Sequence, residues 1–411
     1  MSNIPNLRFK GFGEPWEQCK LENVIEEVID NRGKNPPYYC EEGIPIIDNY
    51  MIKNSGYPDL SKANRYIDDY LYENFIRKYN KVDDILITLV GNGIGNIALF
   101  PSEKAVIVQN TLGLRVLEDK LFMYYELLFK NSEIVKLDRG MAQPSIRQDE
   151  LKNIEILIPN MREQSRIGLF LKELDNLITL HQRKCYEMKE LKKYMLQKLF
   201  PKKDSNIPEI RFKGFTEAWE QRKFGECYKM SSGYAFKQSD YCEVGIPIIN
   251  GESIQHGTIS SVNLNYLPMS FSEKYLSFIL KTNDIVVGLN RPITNGKLKI
   301  AQIPFKFNNS LLYQRAGKIS YLKNIDKYFT YILLSQEILK HTKKESVGSD
   351  QPFISTVKLD RWKMMIPNEY KEQHEIGDFF KQLDNLITLH QHKYEELKEI
   401  KKYMLSNIFP K

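Results

Sequence analysis

The sequence predicts an α+β fold written twice: two mixed α/β domains, separated by two long helices that pair as an antiparallel coiled coil, with an internal pseudo-two-fold repeat. Three observations lead there. Segments of the first half return in the second half in the same order. Each half is a series of short apolar runs bounded by Gly, Pro, Asn and Asp, as strands and turns are. Each half then closes in a long run with a heptad seam.

The repeat is the strongest of the three. Residues 4–21 read IPNLRFKGFGEPWEQCKL and residues 207–224 read IPEIRFKGFTEAWEQRKF. GIPII recurs at Gly43–Ile47 and Gly245–Ile249, and QPSI at Gln143–Ile146 is echoed by QPFI at Gln351–Ile354. IPN follows at Ile158–Asn160 and Ile366–Asn368. LDNLITLHQ at Leu174–Gln182 returns letter for letter at Leu383–Gln391, as does KKYML at Lys192–Leu196 and Lys401–Leu405. Between these anchors, residues 48–140 and 250–350 share little beyond a buried-looking run, DDILITLV in one and NDIVVGLN in the other. Uniform drift after duplication would not leave identical segments beside segments that barely align. A common frame carrying two different inserts suggests two sites of one kind with different specificities. A period of roughly 200 residues is too long for a solenoid unit.

The predicted strands include Gly43–Ile47, Asp84–Val90, Ile97–Leu99 and Val106–Val108. Helical patterns cover Asp119–Asn131 and Lys323–Lys340, and a short helical turn precedes each closing IP. In the tails, one seam runs through Ile167, Phe170, Leu174, Leu177, His181, Lys184, Met188, Leu191 and Met195. The other runs through Ile376, Phe379, Leu383, Leu386, His390, Lys393, Leu397, Ile400 and Met404. Helices over 162–200 and 371–409 would each be about 60 Å long. Their matched lengths favour mutual packing, with the His and Lys breaking the apolar seam at the same place in both. The expected division is 1–159 for the first domain, 160–206 for a helix and linker, 207–367 for the second domain and 368–411 for the last helix. Antiparallel pairing would hold the two domains at opposite ends of a spacer, as in dimeric proteins that read split DNA sites.

Composition narrows the class. Hydrophobic residues make up 42% and charged residues 27% of the 411 residues, ordinary for a soluble globular protein. The formal charge of +7 suits a polyanionic partner without identifying one. The 5 cysteines are scattered with no CxxC pair, so reduced thiols in a cytosolic protein are expected rather than a disulfide framework or zinc knuckle. The start, MSNIPNLRFKGF, lacks the apolar core of a signal peptide, and no run is long enough to span a membrane.

Catalytic patterns are weak. Asn35-Pro36-Pro37-Tyr38 matches the NPPY box with which N6-adenine methyltransferases hold the target amino group, and Gly91-Asn92-Gly93-Ile94-Gly95 follows an apolar strand as a cofactor loop might. A self-contained N6-adenine DNA methyltransferase is therefore the alternative reading. Against it, the residues after Gly95 read as strands rather than the helix such a loop opens. Only about 50 residues separate the two motifs, too few for the βα units of a cofactor fold, and the second half has neither. There is no Walker A sequence, no HExxH and no Cys/His cluster at metal-ligand spacing. Pro58-Asp59 lacks the acidic-x-Lys pattern of a nuclease centre. No catalytic, cofactor-binding or metal residues are assigned to this chain.

Recognition fits better. The divergent inserts carry loops rich in Asn, Gln, Lys, Arg and Ser beside Gly: Asn31–Asn35, Asn49–Arg65 and Gly91–Asn96, then Ser231–Ser239, Asn250–Gly257 and Asn290–Lys297. Amides pair with adenine, Arg and Lys with guanine, and basic groups also meet phosphates. The candidate contacts are Arg32, Lys34, Asn49, Lys53, Lys62, Arg65, Asn92 and Asn96 in the first half. In the second they are Lys237, Gln238, Asn250, Ser253, Gln255, Asn290, Arg291, Asn295 and Lys297.

The paired LRFKGF…W segments (Leu7–Trp16, Ile210–Trp219), the GIPII boxes, GMAQPSI and GSDQPFI, and the two heptad tails together resemble the specificity subunit of type I restriction–modification enzymes across essentially the whole chain. The resemblance implies two target-recognition domains, each reading one half of an asymmetric, interrupted sequence in double-stranded DNA. It implies helical regions that dock two modification (methyltransferase) subunits, with restriction subunits supplying translocation and cleavage. S-adenosylmethionine, ATP and Mg are then expected in the partners, with none in this chain, and a cytoplasmic location on bacterial DNA follows. In that family NPPY belongs to the modification subunit.

Overall fold

The apolar runs of the first half become short strands: β1 (Glu17–Lys20), β2 (Ile25–Ile29), β3 (Ile44–Ile47), β4 (Tyr66–Ile67), β5 (Ile85–Thr88), β6 (Ile97–Leu99), β7 (Val106–Ile107), β8 (Thr111–Val116) and β9 (Glu155–Ile158). An antiparallel sheet has the order β2-β8-β5-β6, and a smaller one the order β4-β3-β7 with β3 and β7 parallel. The hairpin-like pair β1-β9 ties the entry of the domain to its exit. All four residues of β5 and all six of β8 are buried. That explains why these stretches read as continuous apolar runs rather than alternating ones.

The second half repeats the plan with β10 (Glu220–Lys223), β11 (Tyr228–Ser232), β12 (Ile246–Ile249), β13 (Tyr266–Leu267), β14 (Ile285–Gly288), β15 (Ile293–Thr294), β16 (Lys297–Leu298), β17 (Ile300–Gln302), β18 (Leu311–Leu312), β19 (Ala316–Tyr321) and β20 (Lys363–Ile366). Its sheets are β11-β19-β14-β17, β13-β12-β18 and β10-β20. The β15-β16 hairpin has no counterpart among the described residues of the first half. Its Asn295-Gly296 turn has both φ angles positive, at 50° and 74°, the backbone that a two-residue hairpin loop favours.

Four helices frame these sheets: α1 (Lys120–Phe129), α2 (Met161–Lys198), α3 (Lys327–Glu345) and α4 (Tyr370–Ile408). Asp119 caps α1, its Oδ1 accepting from the Phe122 N–H at 2.9 Å. Asp326 does the same for α3 through Phe329 at 2.8 Å, which starts that helix later than the 323–340 pattern indicates. Each capped start lies against a glycine of a long helix. A Cβ on Gly168 would come within 2.8 Å of Leu121 Cβ and the Phe122 nitrogen, and one on Gly377 within 2.5 Å of Asp326 Oδ1.

This computed structural model describes residues 3–33, 35–140, 143–202, 204–345 and 352–410. The chain divides into two units, Met1–Lys184 with Leu389–Lys411, and Cys185–Thr388. Each unit therefore contains part of both long helices. In the first unit Lys401 pairs with Asp175 at 2.6 Å and His390 Nδ1 lies 2.9 Å from His181 Nδ1. In the second, Lys192 pairs with Asp384 at 2.6 Å and the Cys185 thiol approaches the Ile387 carbonyl. Partner numbers fall along α4 as they rise along α2, so the helices run antiparallel.

The seam differs from the sequence expectation in every second position. Ile167, Leu174, His181, Met188 and Met195 lie inward, but the alternate inward places go to Leu171, Ile178, Cys185 and Lys192. Phe170 is half-buried, Leu177, Lys184 and Leu191 are exposed, and the same shift replaces Phe379, Leu386, Lys393 and Ile400 by Phe380, Ile387, Tyr394 and Lys401. Apolar residues stand at both alternatives at Phe170/Leu171, Leu177/Ile178, Phe379/Phe380 and Leu386/Ile387, so spacing does not select between them there; Lys192 and Lys401 take the inward place from Leu191 and Ile400 by pairing with Asp384 and Asp175. Only the histidine remains as a polar seam residue at the expected break; the lysine points outward.

Each unit closes its core with the end of a long helix. Ile408 and Phe409 enter the first core, where Phe409 meets Trp16, Phe122 and Phe129. Leu199 and Phe200 enter the second, where Phe200 meets Trp219, Phe329 and Phe380. Among the described residues no helix is long and apolar enough to cross a membrane.

Candidate nucleic-acid interface

The two units share a backbone frame, and several of its hydrogen bonds correspond. Leu89 donates to the Asn110 carbonyl at 2.7 Å, and Leu289 to the Arg315 carbonyl at 3.0 Å. Gly91 donates to Pro144 at 2.9 Å, and Arg291 to Pro352 at 3.0 Å. Ile146 returns to Leu89 at 2.8 Å, and Ile354 to Leu289 at 2.9 Å. Ile46 donates to the Arg65 carbonyl, and Ile248 to that of Asn265. The repeated QPSI and QPFI motifs thus hold the loop that follows the central strand, β5 in one unit and β14 in the other. Different side chains then stand on equivalent backbone.

In the second unit these side chains line a cleft of about 810 Å³. Gln238, Asn250, Asn290 and Arg291 of the sequence candidates lie on its wall, with Asn265, Lys299, Arg315 and Glu252, which sequence reading missed. Arg291 and Arg315 are exposed, and their side chains make no hydrogen bond or ion pair among the described residues. Arg291 has φ +46°, at the position where the first unit has Gly91 at +86°. A left-handed backbone costs an ordinary residue about 1–2 kcal/mol. Asn250 is structural in part, its Oδ1 accepting the Glu252 and Ser253 N–H groups at 2.9 and 2.8 Å.

The remaining second-unit candidates fall outside the cleft wall. Ser253 is buried, its hydroxyl donating to the Asn250 carbonyl at 2.9 Å, so it shapes the loop rather than facing a ligand. Gln255 bonds the Glu252 carbonyl at 2.8 Å. Asn295 forms the hairpin turn, Lys297 follows it, and Lys237 is exposed on the 231–239 loop.

In the first unit, Asn49, Asn92 and Gln143 meet around Gly91. Asn49 Nδ2 donates to the Asn92 carbonyl at 3.1 Å, and a Cβ on Gly91 would lie 3.5 Å from the amide nitrogens of Asn49 and Gln143. The basic candidates are mostly neutralised. Arg65 binds Asp48 through two nitrogens and lies over the Tyr39 ring at 4.9 Å; the bond to Asp48 raises its pKa above the ordinary arginine value. Arg32 pairs with Asp30 at 2.6 Å and Lys62 with Asp59 at 3.1 Å. Asn96 is turned inward, donating to the Ile52 carbonyl at 2.9 Å. Lys53 is exposed, and Lys34 lies outside the described residues.

The methyltransferase-like motifs have other roles here. Tyr38 of NPPY donates its hydroxyl to Asp68 at 2.8 Å on the surface. Gly91–Gly95 connects the antiparallel strands β5 and β6, so the loop opens no helix and offers no strand–turn–helix cradle for a nucleoside. Among the described residues no group of three or more His, Cys, Asp or Glu could hold a metal ion.

Comparison with known proteins agrees with this architecture. The family model described as "Type I restriction modification DNA specificity domain" matches residues 13–190 and again 216–399. The chain is similar to the type I restriction enzyme MjaVIII specificity subunit of Methanocaldococcus jannaschii, at 30% identity over 96% of this chain and 92% of that one. It is also similar to the putative MjaX specificity subunit of the same organism, at 27% identity with the same coverage. The crystal structure of a type I restriction–modification S subunit from M. genitalium matches with a TM-score of 0.66 over 99% of both chains at 18% identity, a likeness of fold.

Proposed function

Because the chain belongs to the type I restriction–modification DNA specificity family, we propose that its two units read the two halves of one interrupted, asymmetric DNA sequence. The observation that carries this reading is a set of matching backbone hydrogen bonds that presents unlike side chains in the two units. Equal backbones place two recognition surfaces in equivalent settings, and unequal side chains give them different preferences. The paired helices would set the spacing of the half-sites. The chain itself would bind rather than catalyse, leaving S-adenosylmethionine, ATP and Mg to its partners.

The outer faces of the helices support the docking of two modification subunits. Leu177, Leu180, Leu191 and Tyr194 are exposed along α2, and Leu386, Leu389, Ile400 and Tyr403 along α4. Each residue of one set has its repeat counterpart in the other. Two copies of one apolar surface suit two copies of one partner, whereas the side chains at the equivalent loops differ between the units. Restriction subunits would join that assembly.

The test is a chimaera in which residues 48–140 are replaced by the matching segment of another family member. Assembled with modification subunits, it should methylate a sequence altered in one half only. Alteration of both halves together would refute the two-reader model.

A further inference from the structure

We propose that Arg291 and Arg315 make the second unit a guanine reader, while the first unit, with Gly91 and Asn110 at the matching backbone positions, reads its half without an arginine there. The inference rests on the two-reader function proposed above and assigns chemistry to one of its clefts.

Three observations converge on Arg291 and Arg315. Both line the same 810 Å³ cleft, beside the amides of Asn265 and Asn290. Both are exposed and without side-chain partners among the described residues, unlike Arg32 and Arg65 of the first unit, whose guanidiniums are held by Asp30 and Asp48. Arg291 also occupies a left-handed position that glycine fills in the first unit, and the Pro352 carbonyl fixes its backbone there. A guanidinium offers two parallel donors to the O6 and N7 of guanine, and this pairing is the commonest specific contact in the major groove.

The cleft's chemistry favours base edges over the phosphate backbone. Glu252 lines the same wall. A carboxylate repels phosphate but accepts a hydrogen bond from the N4 amino group of cytosine, the partner of guanine. Basic groups that follow a phosphate chain would have no use for that carboxylate. In the first unit the equivalent region holds the amides of Asn49 and Gln143 beside Gly91 instead, groups that suit adenine.

The experiment uses the full chain assembled with its modification subunits, with adenine methylation mapped on a randomised DNA library for the wild type, R291G, R315N and the lysine variants R291K and R315K. Glycine and asparagine are the residues the first unit already carries at these places, so the frame is preserved. The expected wild-type motif contains a G·C pair in one half. R291G and R315N should each lose roughly ten- to a hundredfold of the discrimination at a G·C position in that half, with the other half unchanged. The lysine variants should lose less than R291G and R315N but more than nothing, because lysine can still donate to guanine without the rigid fork. A wild-type motif with no G·C pair in the half that responds overturns the proposal. So does uniform weakening on all sequences with base preference intact, which marks phosphate contacts. Changes in both halves overturn the two-reader function itself.

Discussion

Arg8 grips Glu163 with two nitrogens, Nε to Oε1 and Nη2 to Oε2, both at 2.7 Å, and the glutamate side chain is fully buried. Arg211 and Glu372 repeat the arrangement at 2.7 and 2.8 Å. The arginine comes from the repeated RFKGF motif and the glutamate from the first turn of a long helix. Each pair therefore anchors a domain's opening segment to a helix start.

Removing one partner leaves a buried charge uncompensated, which costs about 3–5 kcal/mol. Arg8→Ala should destabilise the first unit by about that amount and Arg211→Ala the second. Hydrogen exchange at β5 and β14 would separate the two effects. Replacing Arg8 and Glu163 together with Met and Leu should recover most of the loss.

Phe409 lies 234 residues beyond Asp175 in sequence yet completes the first core, so Phe409→Ala should lower stability there by about 3–5 kcal/mol. The buried, paired amides of β5 and β8 should then exchange faster, while those of β14 and β19 should be unaffected. Phe200→Ala should give the converse pattern. Loss confined to the opposite unit in either variant would contradict the observed packing.

The Lys192–Asp384 pair is half-buried, at 21% and 26% side-chain exposure, and Tyr328 donates to the same carboxylate at 2.8 Å. A double-mutant cycle to alanine should give a coupling of about 1 kcal/mol, within the range for residues in one network. Lys401–Asp175 should behave alike, with Tyr125 in the place of Tyr328.

Burial raises the Glu126 carboxyl to about 8 from an ordinary 4.5. The folded state then holds a proton that the unfolded chain releases, so its stabilising effect is complete below about 4.5 and is lost as pH rises towards about 8. The thermal midpoint of the first unit should fall across that window. Glu126→Gln, which cannot ionise, should flatten the decline; an unchanged slope would remove Glu126 as its cause.

The fold was legible because duplication wrote the packing twice. LDNLITLHQ and KKYML are identical between halves, and the structure brings their charged members together: Asp175 meets Lys401, and Asp384 meets Lys192. Trp16 and Trp219 are likewise buried in equivalent cores. The seam was less legible because Leu177 and Ile178 are both apolar, and helical spacing distinguishes them only through what packs opposite. Of the residues on the wall of the second unit's cleft, the sequence reading named Gln238, Asn250, Asn290 and Arg291 but not Arg315 and Asn265. These adjoin strands in sequence, and only the sheet brings them to the wall. Alignment of QN at Gln109–Asn110 with QR at Gln314–Arg315 was the available signal. Ser253 and Asn96 have the residue types of readers, yet both face inward.

The exchanged helix ends also impose an order on synthesis. Leu199 and Phe200 leave the ribosome before the strands they will cover, so the second unit meets a finished lid as it emerges. The first unit must wait for Ile408 and Phe409, which follow the whole second unit in sequence, while at roughly 5–20 residues per second the intervening chain is added. During that interval Trp16 and Phe122 lack the ring that will cover them. Two look-alike units thus have unequal histories: the first, although the earlier to be translated, is the later to complete its core.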